Sequence, residues 1–246
     1  MLDVVCWKWK PPAGYRSTFD AASVNTLRAM VARNLSLPHR FSCITDDAEG
    51  IDATVRVIPL WDDFAAVPNP SNRLNPSCYR RLKMFSAEAR TTIGERIVSM
   101  DLDVVITGDL TPLFDRAEDF VIWGGQTVQP GRAGTSVYNW YNGSLMMLRA
   151  GSRTKVWDTF DPARSPTRAN QAGCRGSDQG WISYCLGPKE AVWGTSDGVY
   201  SFRNHIVPGK GILPRDARFI AFHGRHDPWQ AEVQRAHPWV AQHYRG

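Results

Sequence analysis

The stretch Arg96-Ile97-Val98-Ser99-Met100-Asp101-Leu102-Asp103-Val104-Val105-Ile106 decides how this chain is read. Its apolar flanks have the composition of a buried strand, which carries the two aspartates to the end of a sheet. Extended backbone has a side-chain period of two, so Asp101 and Asp103 can face the same side. Burying an unpaired carboxylate is costly, so core patterning alone gives no reason for a pair of them there. A divalent cation bridging phosphate oxygens does give one, because magnesium and manganese prefer oxygen ligands. Asp103 is then a direct ligand and Asp101 binds directly or through water. The plainer reading makes both acids part of a turn or a salt bridge.

Strand and helix patterns alternate on the N-terminal side of this segment. Residues 3–7 read as a buried strand, and 8–15, with Pro11, Pro12 and Gly14, as a loop. Ser17 is expected to cap the next helix with Asp20 as its partner, and Val24, Leu27, Val31 and Leu35 form the apolar face. Strands follow over 41–45 and 54–58, then a long loop over 61–79 and a helix over 81–92. This alternation predicts an α/β fold with a doubly wound, mostly parallel sheet flanked by helices. The second half is less regular. Strands are expected over 120–123, 144–148 and 219–222, and helices over 154–160 and 179–186, the latter capped by Asp178. Residues 126–135 read as a loop that is mobile or shaped around a ligand, 164–176 lack a period, and 231–245 form a helix interrupted near Pro238.

With 43 % apolar and 22 % charged residues, the 246-residue chain has too few charges for a disordered protein. One compact domain spanning 1–246 is predicted. Cys6, Cys43, Cys78, Cys174 and Cys185 are odd in number and form no C-x-x-C pair, which fits a reducing compartment and argues against a zinc cluster. No basic leader precedes the first strand, and no apolar run approaches about twenty residues. A cytoplasmic protein without an integral membrane segment is expected, with a peripheral position at the inner face of a membrane left open. The net charge of +5 is dispersed and suits phosphate or anionic lipid. No helix-turn-helix, zinc finger or RNA-binding signature accompanies it, so no nucleic-acid partner is expected. Hydrolase and nucleotide-binding signatures (G-x-S-x-G, H-E-x-x-H, the P-loop and the dinucleotide fingerprint) are absent as well.

Four further segments bear groups suited to a phosphorylated, hydroxylated ligand. His223-Gly224-Arg225 follows an apolar strand. Glycine permits close backbone approach to phosphate, Arg225 can donate two hydrogen bonds, and His223 is a third metal ligand if its strand lies beside that of Asp103. In Arg80-Arg81-Leu82-Lys83, Arg81 or Lys83 can reach a diphosphate while Arg80 faces solvent. Asn142-Gly143-Ser144 suits a polar lining, and Asp178 or Gln179 can bond sugar hydroxyls on the reacting face. As bland alternatives, Asp178 is only a helix cap and His223 only a turn residue.

Taken together, these segments resemble the GT-A-fold, nucleotide-sugar-dependent glycosyltransferases, especially the glycogenin and bacterial lipooligosaccharide galactosyltransferase group. The likeness runs from the first strand through Phe41-Ser42-Cys43-Ile44-Thr45-Asp46-Asp47, Arg80-Arg81-Leu82-Lys83, Asp101-Leu102-Asp103, Tyr141-Asn142-Gly143-Ser144 and Gly176-Ser177-Asp178-Gln179 to Phe222-His223-Gly224. It implies a nucleotide-sugar-binding half over 1–115 and an irregular acceptor-binding half over 116–246. Trp7, Lys8, Thr45 and Asp46 would hold base and ribose. Arg81 or Lys83 would steady the donor, and Asp101, Leu102, Gly224 and Arg225 would border its diphosphate. Asp101, Asp103 and His223 would hold Mn²⁺, with Mg²⁺ as the substitute, and Asn142, Asp178 and Gln179 would border the transferred sugar.

The glycogenin-like group has histidine three residues before the glycine and lysine three after it; here those positions are Ala221 and Asp227. Arg225 or His226 must then supply the positive charge. The expected reaction moves a hexosyl group from a nucleoside-diphosphate sugar, UDP-linked by resemblance, to a saccharide or other hydroxyl acceptor, which can be a membrane-associated glycan. Retention of configuration is favoured. The alternatives are a nucleotidyltransferase that makes an activated sugar, and a non-catalytic sugar- or nucleotide-binding protein.

Overall fold

The computed structural model describes residues 1–11, 13, 15, 18–70, 77–124, 129–130, 136–137 and 140–246. The first strand, β1 (Leu2–Lys8), is buried along its whole length. It is followed by α1 (Ala21–Asn34), β2 (His39–Thr45) and β3 (Arg56–Pro59). After a 3-10 helix over Tyr79–Phe85 come α2 (Ala89–Thr92), β4 (Arg96–Met100), β5 (Val104–Ile106), α3 (Thr111–Phe114) and β6 (Phe120–Gly124). Next stand the short pair β7 (Gln129–Pro130) and β8 (Ser136–Val137), then β9 (Tyr141–Arg149), α4 (Lys155–Asp158), α5 (Ser165–Gln171) and α6 (Asp178–Leu186). The chain closes with β10 (Ala191–Trp193), β11 (Val199–Ser201), β12 (Phe219–Ala221), α7 (Ala231–Ala236) and α8 (Pro238–His243).

Seven strands form the main sheet in the order β10-β6-β9-β4-β1-β2-β3. Four of its six pairings are parallel, and only β9 runs against its two neighbours. A second sheet, β11-β12-β5, stands apart from it. The predicted mixed, mostly parallel α/β architecture is therefore present. β4 and β5 belong to different sheets, so the chain leaves one and enters the other through Asp101-Leu102-Asp103. In an open α/β sheet, ligands bind beyond the carboxyl ends of the strands where the strand order reverses. That point lies at β1, which has β2 on one side and β4 on the other.

Helix α1 buries Val24, Leu27, Met30 and Val31 in a core shared with β1, β2 and β5, each such side chain contributing about 1.5–3 kcal/mol of transfer free energy. Asp20, rather than a residue upstream, caps it: its Oδ1 accepts from Ser23 N at 2.9 Å, and Ser23 Oγ accepts from Asp20 N at 3.4 Å. Ser17 lies outside the described residues. Replacing Asp20 by alanine is expected to cost about 1 kcal/mol, read as a lower urea midpoint at unchanged m-value.

Three expectations need correction. Residues 81–92 do not form one helix: Ser86 adopts extended backbone at ψ 159° and separates the 3-10 helix from α2. The tighter 3-10 turn buries Tyr79, Arg81, Leu82, Met84 and Phe85 together, which a single amphipathic α-helical face would not. Ser177, not Asp178, precedes α6, and Asp178 is its first residue. Residues 165–171 are helical despite their polar composition, with Pro166 in the first turn where its missing N–H costs nothing. Of the expected ligand-shaped loop over 126–135, only Gln129–Pro130 is described, paired with Ser136–Val137.

Candidate active site

Parallel registry puts the carboxyl ends of β1 and β2 level, with Lys8 opposite Thr45, and β4 delivers Asp101 to the same edge of the sheet. Trp7 is tied across the switch point by a 2.9 Å hydrogen bond from its Nε1 to Ser99 Oγ. On that platform sits Arg81, only 5 % exposed. Its Nη1 donates to Asp101 Oδ1 at 2.7 Å and its Nη2 to the Gly143 carbonyl at 2.5 Å. Nε faces Asp178 Oδ2 at 3.4 Å, an ion pair without hydrogen-bond geometry. The guanidinium carbon lies 6.0 Å from the centre of the Trp7 ring, within cation–π range.

One buried arginine thus serves two carboxylates brought from β4 and α6. Burial alone would pull the Arg81 pKa down, but the neighbouring charges of Asp101 and Asp178 hold it above the ordinary arginine value. Burial pushes the Asp178 carboxyl up, against the opposing pull of Arg81. Desolvation, with the nearby Asp178 carboxylate pushing the same way, raises the half-buried Cys78 thiol to about 12, so it stays protonated at neutral pH.

Residues 142–144 complete this cluster. Ser144 Oγ donates to Asp101 Oδ2 at 2.6 Å, and Ser144 N donates to Asn142 Oδ1 at 2.8 Å. Gln179 Oε1 accepts from Gly143 N at 3.5 Å. A Cβ at Gly143 would stand 3.4 Å from Asp178 Oδ2 and 3.6 Å from Arg81 Nη2, so a larger side chain there would press on the ion pair. The structure therefore brings Arg81, Asp101, Asn142, Asp178 and Gln179 into one polar network. Lys83 is placed differently: its ammonium pairs with Asp63 at 2.8 Å and Glu88 at 3.7 Å, over the Trp61 ring.

Two adjoining cavities open at the ends of β1 and β2. One of about 390 Å³ is lined by Lys8, Trp9, Lys10, Phe19, Asp46 and Asp47. Its neighbour of about 310 Å³ shares Trp9, Lys10 and Asp46 and adds Val67, Asn69 and Arg80. Lys8 is 5 % exposed and pairs with Asp47 at 3.3 Å. Thr45 Oγ1 accepts from Asp47 N at 3.0 Å, which shapes the turn after β2. Trp7, Trp9 and Trp61 form an edge-to-face cluster, with ring centroids 6.5 and 5.4 Å from Trp7.

On the opposite flank, β12 runs antiparallel to β5, and Phe222 N donates to the Asp103 carbonyl at 2.9 Å. The His223 strand therefore lies beside that of Asp103. His223 Nε2 and Ser201 Oγ are 2.7 Å apart. Burial lowers the His223 pKa to about 4, with Arg203 and His205 pushing the same way, so the ring is neutral at pH 7. A carboxylate and a neutral imidazole on bonded strands form a donor set that suits a manganese-like cation. Both Asp101 oxygens are already engaged by Arg81 and Ser144. Among the described residues no three acidic, histidine or cysteine groups close into a cage. Gly224 is in the left-handed region at φ 94°, and the exposed Arg225 donates from Nε to His226 Nε2 at 3.0 Å.

Ser177, Cys78 and Trp61 belong to this neighbourhood but were not singled out from sequence. Ser177 Oγ accepts from Cys78 N at 3.0 Å, and its place beside Asp178 was the one local signal that could have found it.

No protein-family profile matches the chain, and no curated protein matches it in sequence. Solved structures do resemble it. The galactosyltransferase LgtC, in complex with donor and acceptor sugar analogues, superposes with a TM-score of 0.63 at 14 % identity, over 99 % of this chain and 96 % of that one. An active-site mutant of LgtC gives the same TM-score at 15 % identity, with the same coverage of both chains. The glycosyltransferase GlyE of Streptococcus pneumoniae TIGR4 gives 0.57 at 10 % identity, over 99 % of this chain and 62 % of that one. The chain has the LgtC-like GT-A fold of these glycosyltransferases.

Proposed function

We propose that this protein transfers a glycosyl group from a nucleoside-diphosphate sugar to an acceptor hydroxyl. The observation that carries the reading is the buried Arg81, shared by Asp101 and Asp178 beside the switch point of a sheet with this fold. Asp103 and His223, on bonded strands, would hold a divalent cation, Mn²⁺ by the chemistry of the donor set, and Asp101 would join them only by releasing Ser144 or Arg81. Such a cation, when bound, neutralises charge on a departing diphosphate. Trp7, Lys8, Thr45 and Asp46, at the carboxyl ends of β1 and β2, would hold the base and ribose, and a UDP-sugar is the donor expected from the resemblance.

The chain's own groups divide the remaining work. Arg81 orients Asp101 and Asp178 while its charge lies close to the reacting region. Asp178 and Gln179, at the start of α6, would align the sugar hydroxyls, and Asn142 would border them. A retaining course asks for no strong protein base, and the Arg81-bound Asp178 is suited to electrostatic support of positive charge at the anomeric carbon. Residues that fix the donor while water is excluded favour the acceptor over hydrolysis.

A panel of nucleotide sugars tests this, each with manganese present or chelated, following nucleoside-diphosphate release and thermal stabilisation. One donor should raise the melting temperature and be turned over only with the metal. Pyrophosphate release would instead indicate nucleotidyl transfer. Metal-independent binding without turnover would indicate a binding protein.

A further inference from the structure

A leaving diphosphate needs cations around it, and the closing segment is short of them. Position 227, where glycogenin-like sequences carry lysine, is Asp227, which is 3 % exposed and whose N donates to Gln230 Oε1 at 3.0 Å. Arg225 is turned onto His226.

Another cation arrives from a different part of the chain. Strands β11 and β12 are parallel, with Ser201 opposite Ala221, so Arg203 and His223, each two residues further on, leave the sheet side by side. Arg203 sits in a single π-helical turn, Phe202–Ile206. Ser201 Oγ staples this turn to the closing segment, accepting from Asn204 N at 3.0 Å and meeting His223 Nε2 at 2.7 Å. Arg203 Nη1 and Cδ lie 3.4 and 3.6 Å from the point a Cβ on Gly224 would occupy. The guanidinium therefore lies beside the Gly224 backbone, at a spacing a Cβ would meet in ordinary contact. Its Nε donates to the neutral Asn204 amide at 3.2 Å, which orients the group without neutralising it.

We infer that Arg203 is a diphosphate-binding residue, supplying from beside the Gly224 backbone the positive charge that position 227 lacks. This rests on the glycosyl-transfer reading, which brings a diphosphate to the end of the β11-β12-β5 sheet. A planar guanidinium can hold two phosphate oxygens at once, whereas the exposed end of a lysine acts as a point charge.

Isothermal titration with MnCl₂ compares wild type, Arg203→Gln, Arg203→Lys and, as a control for general surface charge, Arg215→Gln. The ligands are UDP, GDP, CDP and ADP, and the nucleoside of whichever binds best. Arg203→Gln is expected to weaken the diphosphate by about ten- to a hundredfold while nucleoside affinity stays the same. Arg203→Lys should recover part of the loss, and Arg215→Gln should change little. Equal diphosphate affinity in wild type and Arg203→Gln overturns the inference and leaves the transfer reading standing. Parallel loss of nucleoside and diphosphate also overturns it, because the role is then structural. If the wild type binds none of the four diphosphates, the transfer reading fails and the inference fails with it.

Discussion

Replacing Arg81 by methionine is expected to destabilise the protein by about 3–5 kcal/mol, the usual cost of leaving a buried charge without its partner. The side chain is nearly isosteric, so lost volume contributes little. The cost falls on Asp178, which is 4 % exposed and takes its only ion pair among the described residues from Arg81, and on Asp101, which keeps only its Ser144 bond. For a chain of this size the loss corresponds to a drop of roughly 6–20 °C in melting temperature. Stability should also depend more steeply on pH, with a known sign. Without Arg81 the Asp178 carboxyl rises further, the native state binds more protons than the unfolded state, and stability falls as pH increases from the unfolded carboxylate pKa to the raised native one. The deficit should therefore shrink in mildly acidic buffer. Adding Asp101→Leu and Asp178→Leu to Arg81→Met should restore most of the stability, because the buried charges go with their partner, while leaving the protein inactive. A single variant that melts within about 1 kcal/mol of wild type would show that the two carboxylates do not depend on this arginine.

Asp103→Asn is expected to leave the fold intact and cost at least roughly a hundredfold in turnover, comparable to removing a main electrostatic contact to the transition state. Asparagine keeps the Asp103 carbonyl that accepts from Phe222 N, so the contact between β5 and the closing segment survives. What disappears is the anionic oxygen. The manganese-dependent thermal shift expected with nucleoside diphosphate should be absent along with the turnover, while the melting temperature without ligand stays within about a degree or two of wild type. Retention of both the shift and the turnover would remove Asp103 from the metal site.

Long apolar runs with the right period were legible in the sequence. β1, β4 and β6 sit where their Val, Ile and Phe residues predicted, and α1 buries the expected face. Three-residue strands such as β10 and β11 carry too few residues to show a period, and they form because parallel neighbours accept them. Helix α5 was missed because its inner turn is polar, although Ser165-Pro166 is a start signal. The helix expected over 81–92 failed for a tertiary reason: burying Arg81 beside Asp101 requires the tighter turn that ends at Ser86.

Sequence alone marked the segments proposed to carry chemistry, because acids, glycines and arginines placed at the ends of apolar strands have few structural uses. It also determined the alternation of strand and helix that sets the sheet. Tertiary structure decided who meets whom. Arg81 finds a carboxylate 20 residues away and a carbonyl 62 residues away, and Arg203 reaches Gly224 through the pairing of two three-residue strands. Such contacts depend on register and crossover between distant strands, which no local pattern of side chains encodes.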